Sequence, residues 1–335
     1  MVRSVFIGGG TPSLMEPAHI DAIMENIRQN YELAPDAEIT LESNPSSLPP
    51  DRLKAYRESG LNRLSIGIQS FDDRELKFLD RIHDSETALQ AYEDARAAGF
   101  DNINIDLMFS LPGRNLPDVE KNLDAAIELS PEHISAYSLI YEPGTPLYEE
   151  FEKGSIGKIP EDNDADIYKY VSQRLTAAGY GHYEISNFAK PGRKCIHNLN
   201  YWYGGEYIAF GAGAHGYRSG NRYWYEKDLE KYIRNIENGI EDPDGFETLS
   251  EQDKLEECIM LSLRSEGIRL DEFEKEFSSE MKNDLMSAAE SLIKFKLAKI
   301  NKNILRLTLD GYLIADQASL QIIDKLMLKN TVKKT

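Results

Sequence analysis

The chain has 335 residues, with 57 Asp and Glu against 38 Lys and Arg and a formal net charge of −19. That length allows roughly two domains with buried cores, and the acidic excess argues against a broad nucleic-acid or anionic-membrane surface, which needs clustered Lys and Arg. Two cysteines, Cys195 and Cys258, make neither a disulfide scaffold nor a cysteine-rich metal site; no apolar run approaches ~18 residues, and MVRSVFIGGG does not read as a secretory signal, so a cytoplasmic protein without a membrane span is expected.

The first strand, VRSVFIG (2–8), runs into Gly8, Gly9, Gly10 and Thr11-Pro12. Three glycines open backbone angles closed to other residues, which suits either a tight strand-to-loop turn or a cradle whose main-chain N–H groups touch a ligand. Further strands are expected at AEITLES (37–43), NRLSIGI (62–68), NINIDLMF (102–109) and HISAYSLI (133–140), with amphipathic helices near 17–30, 50–59, 86–98 and 116–129. Gly60, Gly99 and Gly179 each follow a helical stretch and precede a strand, the position of a left-handed C-terminal cap. The repeated strand–helix–glycine–strand beat predicts an α/β fold with a parallel sheet, open or curled toward a barrel. After about residue 225 the pattern changes to charged amphipathic helices at 227–238, 251–264, 270–276 and 279–295, with one β-rich stretch at 304–316; Cys258 lies in an apolar helical pattern and is expected in the core.

Polar residues collect where the strands end: Glu42 before Asn44-Pro45, Gln69 after the third strand, and Asp106 inside NIDLMF. Ligands of parallel α/β folds sit at this edge. Taken singly, each also reads as a cap or a satisfied buried carboxylate, and their joint placement on one rim favours a site.

Six segments then occur in a telling order: GGGTPSL, LESNP, GLNRLSIGIQSF with LDRIH, NIDLMFSLPG, YEISNFA and HNLNYW. Together they resemble the radical S-adenosylmethionine (SAM) proteins of the oxygen-independent coproporphyrinogen III oxidase family, and more narrowly its heme-chaperone branch, marked by His-Asn-x-x-Tyr-Trp. The resemblance is dense over residues 2–225 and looser beyond. It implies a partial (β/α) barrel of the radical SAM type over 1–225, with a heme-motif segment at 181–225, and a smaller, mostly helical, winged-helix-like C-terminal domain over 226–335. It also implies that Gly8, Gly9, Gly10 and Thr11 contact the methionine end of S-adenosylmethionine, and that Glu42, Gln69, Arg81 and Asp106 supply the other cofactor contacts.

Relatives hold a [4Fe–4S] cluster with a C-x-x-x-C-x-x-C loop upstream of the glycine motif, and this chain begins after that point. Neither Cys195 nor Cys258 has the spacing, and thiolates are the ligands such a cluster needs. The expectation is therefore an N-terminally truncated chain without its first strand–helix unit and without cluster cysteines. The VFIG strand would then stand on an open edge, inviting a dimer through that edge.

The segment 188–224 carries Lys190, Arg193, Lys194, Arg218 and Arg222 against Glu206, and both tryptophans, Trp202 and Trp224. Aromatic faces for a macrocycle, cations for its propionates and a histidine for its iron suit heme. His197, with Asn198, Tyr201 and Trp202, is the first candidate for heme, and His215 in GAGAHGY the second; the other reading of His197 is a structural histidine whose neighbour Asn198 caps a turn. The resemblance implies two functions: a heme-binding chaperone that passes heme to an acceptor protein, favoured by HNLNYW, and a radical decarboxylase of porphyrin biosynthesis, disfavoured in this chain by the missing cysteine loop. A tRNA-modifying relative is the third, and the acidic charge speaks against a nucleic-acid partner.

Overall fold

In the computed structural model, which describes residues 1–333, the chain divides into two compact units, Met1–His197 and the residues from Asn198 onward. The sequence reading put the change at 225. The segment 198–225 groups instead with the C-terminal unit, because its hairpin pairs with a later strand and Arg222 bonds Glu247 and Glu257.

The first unit runs β1 (Val2–Ile7), α1 (Pro17–Asn30), β2 (Leu33–Ser43), α2 (Pro50–Glu58), β3 (Arg63–Gln69), α3 (Asp73–Phe78), α4 (Ser85–Ala97), β4 (Ile103–Phe109), α5 (Leu116–Leu129) and β5 (His133–Ser138). It continues through α6 (Pro146–Glu152), α7 (Glu161–Ala177), β6 (Gly181–Glu184) and β7 (Asn187–Ala189) to the start of α8 (Ile196–Trp202). Its seven strands form one curled sheet in the order β1-β2-β3-β4-β5-β7-β6. The first five are parallel, as the strand–helix beat predicts, while β7 runs antiparallel to β5 and to β6. Gly60, Gly99 and Gly179 have φ of 97°, 90° and 94°, the left-handed helix ends expected of them.

Alternation along the parallel strands gives the sheet two unlike faces. Ile39 and Leu41, Leu64, Ile66 and Ile68, Ile103, Ile105 and Leu107, and Ile134 and Ala136 point to one side, where they form the core with α1, α2, α4, α5 and α7. The alternate positions, Glu38, Thr40 and Glu42, Arg63, Ser65 and Gln69, Asn104 and Asp106, and His133, Ser135 and Tyr137, are polar and lie on the other. Among the described residues β1 is an outer strand of the sheet, as expected, and three of its apolar side chains are partly buried: Val5 and Ile7 pack against the core and Phe6 stacks on His197.

The second unit holds the hairpin β8 (His215–Arg218) and β9 (Asn221–Trp224), α9 (Leu229–Glu237), β10 (Gly245–Thr248), α10 (Glu251–Leu263), β11 (Ile268–Arg269), α11 (Leu270–Phe277) and α12 (Ser279–Lys294). It ends with β12 (Ala298–Asn301), β13 (Ile304–Leu307), α13 (Leu309–Tyr312) and α14 (Ala315–Lys333). Of the β-rich stretch at 304–316 only Ile304–Leu307 is strand, and it is the centre of a three-stranded antiparallel sheet, β11-β13-β12. Cys258 is half-buried rather than fully in the core. Among the described residues no helix is long and apolar enough to cross a membrane.

Candidate functional site

The strand ends form a rim. At Gly8 a side chain would displace its neighbours, because an added Cβ would stand 2.7 Å from Phe6 Cε1 and 2.9 Å from Glu42 Oε2. Gly9 and Gly10 take φ of 83° and 60°, and the space a side chain would fill beside each is open. The result is a strip of exposed main chain, with the Gly9 N–H donating to Glu42 Oε2 at 3.1 Å and Thr11 leading into a short turn at Pro12–Leu14. Gln69 ends β3 with φ 67°, a left-handed conformation that costs an L-residue on the order of 1 kcal/mol. Its Oε1 accepts the Tyr137 hydroxyl at 2.8 Å. Asp106 Oδ1 accepts from Asn104 Nδ2 at 2.7 Å, and burial pushes its pKa up.

Tyr137 gathers the rim. Its hydroxyl pKa is raised, first by burial and then by the charge of Asp106, with Arg81 opposing and Glu42 adding. Gln69 thus meets Tyr137 by a hydrogen bond, and the charges of Asp106, Arg81 and Glu42, far apart in sequence, all act on the same hydroxyl. The sequence reading missed Tyr137. The signal was its place on β5, two and four residues after Ser135 and His133 on the polar face.

Deeper in the polar face, a second arrangement holds the start of α8. The His197 ring stacks on Phe6 with centroids 4.8 Å apart and 19° between planes, and its Nδ1 lies 3.1 Å from Ser4 Oγ. Burial lowers the imidazole pKa, with Glu38 opposing and Arg63 adding. Three successive backbone N–H groups donate to the sheet: Cys195 to Tyr183 Oη at 3.3 Å, Ile196 to Glu38 Oε2 and His197 to Glu38 Oε1, both at 3.1 Å. Asn198, Tyr201 and Trp202 come next on the same helix, Asn198 and Trp202 half-buried and Tyr201 exposed with its ring 4.4 Å from that of Tyr207. His215 is exposed on β8, its ring 6.1 Å from that of Trp224.

The basic segment is less available to an anion than its sequence indicates. Lys190 donates to the Ser130 carbonyl and lies beside Glu132, Arg193 pairs with Asp101, and Arg222 pairs with Glu247 and Glu257, all carboxylates from outside the segment. Lys194 stands over the Tyr183 ring, and Arg218 is exposed.

S-adenosylmethionine, implied by the resemblance, fits the rim: an open glycine strip for its methionine end, with carboxylates and Arg81 around it. A [4Fe–4S] cluster does not fit the described residues. Cys195 is 1% exposed with its thiol donating to Glu38 at 3.4 Å, the Cys258 thiol is pushed up to about 12 by burial, and no group of three His, Cys, Asp or Glu side chains is placed to hold a metal ion.

The chain is similar to known proteins over most of its length. The Radical SAM superfamily profile matches residues 1–126, and that of the HemN C-terminal domain matches residues 249–314. "Heme chaperone HemW" of Bacillus subtilis is 36% identical over 319 residues, covering 94% of this chain and 84% of the relative. The protein of the same name in Escherichia coli is 46% identical over 217 residues, 64% of this chain and 56% of the relative. The crystallised coproporphyrinogen III oxidase HemN of Escherichia coli, a radical SAM enzyme, superimposes with a TM-score of 0.80 over 96% of this chain and 77% of that one, at 21% identity, which shows a shared fold. The chain therefore belongs to the radical SAM superfamily, in the family whose members carry the name heme chaperone HemW.

Proposed function

We propose that this protein binds heme through His197 and passes it to an acceptor protein. One observation carries the reading: the imidazole at the start of the helix bearing Asn198, Tyr201 and Trp202 is held at its ring by Phe6 and Ser4 and at its backbone by Glu38. The relatives named heme chaperone support it. The strand-end rim is the proposed place of S-adenosylmethionine, with Gly8, Gly9, Gly10 and Thr11 toward its methionine end, Glu42 and Asp106 toward amino and hydroxyl groups, Arg81 toward its carboxylate and Gln69 fixed by Tyr137. Bound there it would supply a sulfonium centre; the described residues hold no cluster ligands, and no radical step is assigned to them.

Titration of the protein with ferric heme tests the reading. The expected result is a Soret shift that weakens in His197→Ala and changes less in His215→Ala, followed by transfer of the bound heme to apomyoglobin as a probe acceptor. Equal spectra for wild type and His197→Ala would place the ligand elsewhere, and heme that never leaves for the acceptor would remove the chaperone role.

A further inference from the structure

Glu38 lies in the middle of β2, on the polar face and 5% exposed, four residues before the rim carboxylate Glu42. A buried carboxylate needs donors, and this one takes them from a stretch more than 150 residues away: the Cys195 thiol at 3.4 Å and the N–H groups of Ile196 and His197 at 3.1 Å. Ile196 and His197 open α8, and the first N–H groups of any helix lack intrahelical partners. Tyr183 Oη accepts the Cys195 N–H and lies 2.7 Å from His133 Nε2. On the far side His133 Nδ1 lies 2.6 Å from Asn104 Oδ1, which fixes the ring as the Nδ1–H tautomer and Tyr183 as donor to Nε2. Arg63, 2% exposed, stands 3.9 Å from Glu38 and supplies the opposing charge.

We propose that Glu38, backed by Arg63, is the positioning residue for His197 as a heme ligand: it fixes the backbone from which the imidazole projects, while Phe6 and Ser4 fix the ring. This rests on the heme reading above. Heme binding then depends on a carboxylate that never touches heme. A shift in the backbone of Ile196 and His197 moves the imidazole directly.

The test uses ferric heme with wild type, His197→Ala, Glu38→Gln and Glu38→Asp, each with and without free imidazole and each checked by far-ultraviolet circular dichroism. His197→Ala is expected to lose the imidazole-type Soret band and regain it with free imidazole. Glu38→Gln keeps the volume but loses the charge and one acceptor; it should bind heme about tenfold or more weakly and also regain the band with free imidazole. Glu38→Asp should fall between it and wild type. A wild-type band and affinity in Glu38→Gln, alongside a loss in His197→Ala, overturns the positioning role alone. An unchanged band in His197→Ala overturns the heme reading beneath it. If Glu38→Gln does not fold, amide hydrogen exchange of the heme-free wild type decides: Ile196 and His197 should exchange at least about a hundredfold slower than an exposed amide, and fast exchange there overturns the proposal.

Discussion

The rim and the seat of α8 share one face of one sheet and are built in opposite ways. Apart from the buried Gln69, the rim is main chain and half-exposed side chain: Gly8, Gly9 and Gly10 face solvent, and Glu42 and Arg81 are only partly covered. The seat is side chain throughout, with Glu38, Arg63, His133 and Tyr183 all at most 5% exposed. Water can occupy the rim in place of a ligand, so changes there should alter binding and leave the fold. In the seat nothing replaces a lost partner, so changes there should alter both.

The largest expected effect breaks the seat. Arg63→Met leaves the Glu38 carboxylate buried without its counter-charge and is expected to lower unfolding stability by about 3–5 kcal/mol, read as a shift of the urea midpoint. Arg81→Met on the rim should stay within about 0.5 kcal/mol in the same measurement. Equal losses for the two arginines would erase the distinction between rim and seat. Tyr183→Phe comes next. It strips a partner from both His133 Nε2 and the Cys195 N–H, an expected loss of about 1–3 kcal/mol, and faster exchange of the Cys195 amide should accompany it.

The five parallel strands, their helices and the rim carboxylates were legible in the sequence because each has a local signal: an apolar run, a glycine at a helix end, a polar residue where a strand stops. The seat was not legible, although its letters were in view. In AEITLES the alternation that marks Glu42 marks Glu38 and Thr40 too, and the same period links Arg63 with Ser65 and Asn104 with Asp106. Period two tells which side chains share a face but not what covers that face. An alternating polar face ordinarily meets water; here residues 183 and 195–197 return to cover it, a contact between distant segments that no local pattern announces. For the same reason the cations of residues 188–224 read as available, since their carboxylate partners lie elsewhere in the chain.

Solution pH separates two groups on β6, which brackets Tyr183 of the seat with His182 and Glu184. His182, half-buried against Phe188 and hydrogen-bonded to Ser172, is lowered to about 4 from its ordinary 6.5, while burial raises the Glu184 carboxyl from 4.5 to about 7. A histidine kept neutral by the fold takes up its proton more readily when unfolded. Its contribution is therefore complete above about pH 6.5 and is lost as the pH falls toward about 4. Glu184 has the opposite sign: its stability is present below about 4.5 and is lost as the pH rises through about 7. Urea midpoints measured across pH 4.5 to 6.5 should rise less steeply with pH in His182→Gln than in wild type, and more steeply in Glu184→Gln. Parallel curves for all three would mean that these groups titrate alike in the folded and unfolded chains.

The smallest expected effect lies where rim and seat touch. Phe6 belongs to both: its Cε1 underlies Gly8, and its ring carries the His197 imidazole. Gly8→Ala therefore presses on Phe6 at 2.7 Å and on the end of the Glu42 side chain at 2.9 Å. Glu42 can swing its carboxylate aside with little strain, whereas a shift of Phe6 moves a ring stacked on the imidazole. Gly9→Ala meets no atom within 4 Å, and its whole penalty is the φ of 83°, about 1 kcal/mol. Both variants should weaken binding of S-adenosylmethionine at the rim, measured by calorimetry, with little loss of fold. Only Gly8→Ala should also shift the Soret band of bound heme, because only it moves the ring on which His197 rests. A Soret shift of the same size in Gly9→Ala would show that the two sites communicate by a route other than Phe6.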